Sequence, residues 1–450
     1  MKLVLLLALA TAGIGSTSAA CGVVATFGTQ LVDHFDKSNQ RIWSQPYSLC
    51  CEESDPGVTS AYVKLDLQGE AGPDRRRRKR SNLHLANGCP TGQILSFRLS
   101  HRFYMGAQPT GDLSLASLRF HSSRQALEDA ARFIRHIIRG EYNRSEPIIA
   151  FGGSYPGALA VWLRYKYPHL VQGAVGRSPV IRAAVNFAEF ENVSLKVLAK
   201  EEPACLQQLK TTYQHLRNLS LTNPDELLEA LNLCKAGDVK AGDVVDGVWS
   251  RLTYTVNEEW VQYWRQYARK RRLFCDQFVS QPMAALRQHF FPRGELNKGV
   301  CNDAKQLAKN VFPTGDWEHF ACTSPPCKIQ RAWWWQKCSE FAWFKTTDAA
   351  PEFFYFYSIY EFFYACEQVY LLKKAEVEEA VAATNDYYGG LRLVEEGSNI
   401  LIINGEYDPW HAVSYTGVAA GVEPVPGGGV GSFVSPADGH CPEGSGSDAV

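Results

Sequence analysis

Three residues in one order give this chain the parts of a nucleophilic catalyst: Ser154, Asp408 and His440. The serine lies in Gly152-Gly153-Ser154-Tyr155-Pro156-Gly157, between an apolar run, Ile148 to Phe151, and a helix-like stretch, Ala158 to Tyr167. Glycines let a chain reverse without Cβ clashes, so a strand, turn and helix of this kind lift a hydroxyl off the end of a sheet. The helix that follows points its N–H groups at charge developing on a bound carbonyl. Pro156 stands where the simple G-x-S-x-G pattern has its second glycine. Proline is tolerated there, because an N–H in the first helical turn has no intrahelical partner. A turn that merely joins strand to helix would read the same, so the hexapeptide alone leaves both readings open.

A serine hydroxyl is a weak nucleophile; it needs a base to take its proton and an acid to orient that base. A second buried-strand pattern, Asn399 to Ile403, runs into Asn404-Gly405-Glu406-Tyr407-Asp408-Pro409-Trp410, which puts Asp408 just past a strand end. His440 follows in the short polar loop Asp438-Gly439-His440-Cys441. Taken singly, Asp408 reads as a turn former before proline and His440 as one of eleven histidines. Behind a nucleophile elbow, in the chain order Ser, Asp, His, the three become candidates for a triad of the α/β-hydrolase type.

The surrounding elements fit such a site. Ala61 to Leu67 alternates with a period of two, as a half-wet strand does. Gln125 to Ile138 sets Leu127, Ala130, Phe133 and Ile137 on one helical stripe. Strands alternating with helices predict a mainly parallel sheet covered by helices. From about Val193 the grammar turns helical. Asn223-Pro224-Asp225-Glu226 is a helix start with Asn223 as cap, Cys205, Leu209, Tyr213 and Leu216 mark one amphipathic helix, and Ala375 to Ala383 another. The reading is a signal peptide at 1–20, an α/β core at 21–192, a helical cap insertion at 193–389, and the second part of the core at 390–450.

Lys2, an apolar run from Leu3 to Ala10 and the small residues Ser18-Ala19-Ala20 form a secretory signal too short to span a bilayer. No other apolar run is long enough for a membrane span. Sequons at Asn143, Asn192 and Asn218 and thirteen cysteines suit a glycosylated, disulfide-bonded product of the secretory pathway. The odd cysteine total leaves one thiol over. No metal or other cofactor is expected: Cys322 and Cys327 lack a second pair, and Cys50-Cys51 is too cramped for a tetrahedral site. The run Arg75 to Arg80 reads as a solvated loop, a convertase site or a mis-assembled exon spanning residues 74 to 97. With a net charge of −1 it makes no basic face, so nucleic acid is not an expected partner.

Over most of its length the sequence resembles the serine carboxypeptidase-type peptidases that include lysosomal Pro-X carboxypeptidase, dipeptidyl peptidase II and thymus-specific serine protease. The matching stretches are Asp33-His34-Phe35, His101 to Tyr104, Gln108 to Asp112, Ser117 to Phe120, Gly152 to Gly157, Tyr167-Pro168-His169, Trp335 to Phe341 and Asn404 to Trp410. The resemblance implies an α/β-hydrolase core with an inserted helical cap, and cleavage of peptides, often after proline. It implies Ser154 as nucleophile, Asp408 as orienting acid and His440 as base, with the N–H of Tyr155 and one near Gly69 and Glu70 holding the oxyanion. The chain departs from the family in three places. The family's Gly-Gly-Glu-Gly-Pro loop reads Gln68-Gly69-Glu70-Ala71-Gly72-Pro73, the basic run replaces an ordinary loop, and the chain ends ten residues after His440, as a truncated C-terminus would.

The leading expectation is a secreted or lysosomal serine exopeptidase, of carboxypeptidase or dipeptidyl peptidase type, acting on peptides. The alternatives are an esterase or lipase of the same fold, and a catalytically dead homologue that binds. Aromatics crowd the end of the insertion; most belong in a core, but Trp335 and Trp410 are candidates to pack a prolyl ring. Glu340 or Asp348 would hold a substrate amine, unless both are ordinary surface acids. Activity below about pH 5 would require His440 to stay neutral there. Oligomeric state is left open, a homodimer included.

Overall fold

The structure, a computed structural model, describes residues 20–53, 62–70, 93–104, 106–234, 251–290, 325–348, 358–417 and 429–442, with isolated positions between them. The signal segment except its last residue, the basic run and Cys322 lie outside these residues. One mixed sheet organises the chain. Its strands are β1 (Ala20–Leu31), β2 (Ile42–Glu53), β3 (Val63–Leu67), β4 (Gln93–Leu99), β5 (Ile148–Gly153), β6 (Gly173–Arg177), β7 (Ile400–Gly405) and β8 (Val430–Ser435). Their spatial order is β1-β2-β4-β3-β5-β6-β7-β8. From β4 to β8 every pairing is parallel, while β1 and β2 add an antiparallel edge. This strand order, with helices on the crossovers, is the α/β-hydrolase fold.

The strands that carry the site are buried on both faces, so they read as unbroken apolar runs. All of β7 is buried, as are Ile148, Ile149 and Ala150 of β5. Helix α1 (Ser123–Phe133) is capped by Ser122, whose side chain accepts from the Gln125 N–H, and it continues into a wide-turn segment, Ile134–Glu141. Helix α2 (Tyr155–Lys166) is buried from Gly157 to Arg164. A helix without a polar face belongs inside a protein, and α2 lies between the sheet and further helices.

Between β6 and β7 the described residues are mostly helical, and these helices divide between two cores. Pro203–Thr222, Ala268–Ser280 and Pro282–His289, with the wide-turn segment Tyr254–Val261, enclose Leu209, Leu216, Trp260, Phe274 and Leu286 in a core of their own. Pro325–Gln336, Ile359–Tyr370 and Lys374–Tyr388 instead share the main core of the sheet through Phe341, Trp343, Phe344 and Phe362. Asn223 caps Pro224–Ala230 as its spacing predicts, accepting from the Glu226 N–H. Disulfides Cys51–Cys89, Cys205–Cys275 and Cys338–Cys366 fasten these parts, and Cys441 is the free cysteine among the described residues. Among the described residues no helix is long and apolar enough to cross a membrane.

Candidate active site

Ser154 occupies the turn between β5 and α2 with φ 62° and ψ −131°, a conformation that costs a side-chain-bearing residue energy and must be imposed by its surroundings. Those surroundings are tight. A Cβ on Gly152 would lie 2.1 Å from the Pro156 carbonyl oxygen, and one on Gly157 3.0 Å from that of Arg177. The Arg177 carbonyl also accepts the Ser154 N–H at 2.8 Å, tying the turn to the end of β6. Pro156 sits in the first helical turn, and its ring is the floor on which Gly69 rests. A Cβ on Gly69 would come within 2.3 Å of the Pro156 Cγ. The Gln68-Gly69-Glu70 segment after β3 therefore lies directly against the serine turn.

Asp408 is fully buried just beyond β7. One carboxylate oxygen accepts the Trp410 N–H at 2.9 Å and the other meets His440 Nδ1 at 2.8 Å. Because the carboxylate only accepts, it holds the proton on Nδ1 and leaves Nε2 as the basic nitrogen. Nε2 is buried and makes no hydrogen bond among the described residues. The His440 loop is itself clamped. The His440 N–H donates to the Gln262 carbonyl, and a Cβ on Gly439 would lie 2.3 Å from that same oxygen. On its other side the loop touches the serine turn: a Cβ on Gly153 would lie 3.0 Å from Cys441 Sγ, which is 3.7 Å from the Arg177 carbonyl that holds Ser154. The Ser154 turn thus meets the Asp408 and His440 loops, far from it in sequence, at the carboxyl ends of β5, β6, β7 and β8.

Burial pulls the His440 imidazole down, but the Asp408 carboxylate and Cys441 beside it outweigh that and hold it well above the usual histidine value. Burial pushes the Glu70 carboxyl up, and one of its oxygens is buried without a hydrogen bond among the described residues.

The remaining sequence candidates fall in different places. The Trp410 ring lies 6.1 Å from that of His440, among Phe187, Phe190 and Trp343, with Lys345 Nζ 4.9 Å from its centre. Its indole N–H is buried and unmatched among the described residues. Trp335 is half-buried, donating to the His121 carbonyl at 3.0 Å and meeting Tyr370 edge-on. Glu340 is no surface acid. It is buried, and its oxygens accept the Ser123 N–H and hydroxyl and a Gln336 amide proton. Burial raises its carboxyl to about 7. Asp348 is exposed and accepts from Asn186. Asn143, Asn192 and Asn218 are all exposed, as glycan acceptors must be. Spacing gave no sign of Gln262, which fixes the histidine loop, or of Gln336, whose partners Tyr104 and Tyr155 lie far away in sequence. No cluster of metal-ligating side chains occurs among the described residues.

The serine carboxypeptidase S28 family pattern matches residues 30–426, ending before β8 and His440. Thymus-specific serine protease of Mus musculus is 29% identical over 431 residues, covering 92% of this chain and 81% of that protein. The Homo sapiens protein of the same name is 29% identical over 402 residues, 86% of this chain and 76% of its own. Lysosomal Pro-X carboxypeptidase of Homo sapiens is 27% identical over 341 residues, 69% of this chain and 63% of that protein. With nearly nine tenths of its length matched to one pattern and the fold that its strand order describes, this chain belongs to the serine carboxypeptidase S28 family of serine-type peptidases.

Proposed function

We propose that the protein is an exopeptidase of the secretory pathway, lysosomal or extracellular, that cleaves peptides after proline through an acyl-enzyme on Ser154. The observation that carries this reading is the buried Asp408–His440 pair, 2.8 Å across, in a loop seated on the Ser154 turn with Nε2 uncommitted. Ser154 Oγ attacks the substrate carbonyl while His440 Nε2 takes its proton, and Asp408 keeps the imidazole in the required tautomer and steadies its charge. The Tyr155 N–H at the start of α2, with an N–H from the Gly69-Glu70 segment, receives the oxyanion. His440 then returns the proton to the leaving amine, and water releases the acid by the reverse path.

Proline preference is supported by Trp410 beside His440, backed by Phe187 and Phe190, since a flat aromatic face suits a prolyl ring. The lysosomal Pro-X carboxypeptidase relatives, the disulfides and the exposed sequons support the compartment. Of the helical stretch 193–389, the helices that enclose a core of their own then act as a cap over the site. Labelling by a fluorophosphonate that is lost in Ser154→Ala, with turnover of Xaa-Pro peptides in preference to short-chain esters, is the expected result. Faster turnover of the esters would favour an esterase, and no labelling at all a binding homologue.

A further inference from the structure

Behind the serine turn lies a buried chain of polar side chains that the triad does not use. The Tyr155 hydroxyl is 2.9 Å from His101 Nε2 and 2.9 Å from Gln336 Nε2. His101 Nδ1 is 2.7 Å from the Arg102 carbonyl. A carbonyl only accepts, so Nδ1 carries the proton and Nε2 is an acceptor. Burial also pulls the imidazole down to about 4, which keeps it neutral. The Tyr155 O–H must therefore donate to His101, and its oxygen then accepts from the Gln336 amide. The Gln336 carbonyl in turn accepts the Tyr104 O–H at 2.6 Å, and its second amide proton reaches Glu340 at 3.1 Å. Glu340 ends on the N–H and hydroxyl of Ser123 at the start of α1, where the Tyr388 hydroxyl also bonds. One backbone carbonyl thus sets the direction of every bond from His101 to Gln336.

Resting on the assignment of Ser154 and the Tyr155 N–H above, we propose that His101 and Gln336 are positioning residues. They grip the Tyr155 ring from two sides and so fix the backbone N–H that receives the oxyanion, making the helix Pro325–Gln336 part of the catalytic unit. Fully satisfied buried networks are rigid, and an oxyanion donor works only when its position is set before charge develops. The hydroxyl of Tyr155 has no role in the proton transfers themselves. Among the described residues its hydrogen bonds are those of this grip.

The test uses the purified full chain, with active sites counted by fluorophosphonate titration and turnover measured on an Xaa-Pro peptide. Tyr155→Phe and Gln336→Leu should each lower kcat per titrated site roughly tenfold with KM little changed, less than the 10²–10³ expected for deleting a donor outright. The double variant should be no slower than the worse single, since both cut the same link. His101→Gln, which keeps an acceptor for the tyrosine proton, should lose less than His101→Leu. Unchanged kcat per titrated site alongside a lower melting temperature would make the network merely structural and overturn the proposal. So would losses that multiply in the double variant. Should either single variant fail to fold, the His101 pair carries the same comparison. Turnover surviving in Ser154→Ala would instead overturn the site assignment beneath, and the proposal with it.

Discussion

Two buried charged groups in this molecule, built from the same side-chain chemistry, are finished to different degrees. At one end of the core Arg102 spends all five of its N–H groups. It grips Asp129 bidentately at 2.7 and 2.6 Å and donates to the carbonyls of Leu31, Val32 and Phe120. His34 meets the same aspartate at 2.8 Å. At the strand ends Asp408 and His440 form an equally close pair, yet His440 Nε2, the Trp410 indole N–H and one Glu70 oxygen are buried without a hydrogen bond among the described residues. Leaving buried polar atoms unmatched costs free energy, about 1–3 kcal/mol each. A saturated cluster works as a strut, tying β1 and α1 to the loop after β4. An unsaturated one keeps bonding capacity for groups that react or bind there. Arg102 and Asp408 both fall on stretches shared with the family, so sharing alone would not have told strut from site.

The difference can be broken from either side. Asp408→Asn should lower kcat by about 10⁴-fold, because an amide donor at that position turns the imidazole tautomer the wrong way. The folded protein should survive, since the substitution removes a charge without leaving one alone in the interior. Thermal melts beside steady-state kinetics on the same preparation would check it, and a variant that loses its melting transition instead would place Asp408 among the struts. Arg102→Met should do the reverse. It leaves the Asp129 carboxylate buried with no guanidinium, at a cost of about 3–5 kcal/mol. The measured stability should fall by that order, while kcat per titrated site holds.

Much of this was readable in the chain, for physical reasons that also set the limit. The serine turn announced itself because its conformation demands glycines within a few residues of each other, and local demands leave local patterns. β5, β7 and α2 were legible from their apolar runs. β8 was not: Val430–Ser435 follows a glycine run and contains Gly431, so neither composition nor alternation marks it as a strand. The order Ser, Asp, His was visible, but the contact of Asp408 with His440 depends on that hidden strand carrying the histidine back beside β7. Glu340 looked like a surface acid because nothing in its neighbourhood reveals a partner 217 residues away at Ser123. Long-range polar bonds leave no period in a sequence.

The smallest expected effect concerns Glu191, a third kind of buried group, lying on the helix Glu189–Glu201. Burial, reinforced by Glu258 nearby, raises its carboxyl from 4.5 to about 8. Its Oε2 accepts from Asn257, while Oε1 is buried and unbonded among the described residues, as suits a group that stays protonated. Below pH 4.5 the carboxyl is protonated whether the chain is folded or not. Between 4.5 and 8 only the folded state keeps the proton, so the stability from this group is lost as pH rises through that window and the loss is complete above it. Other groups bend the profile too. Burial holds His101 near 4, which removes stability as pH falls from 6.5, the opposite sense. The decisive quantity is therefore the difference between wild type and Glu191→Gln. The variant should gain melting temperature relative to wild type as pH goes from 5 to 8, by roughly a few degrees, and a difference that stays flat across that range would mean that Glu191 ionises like any exposed acid.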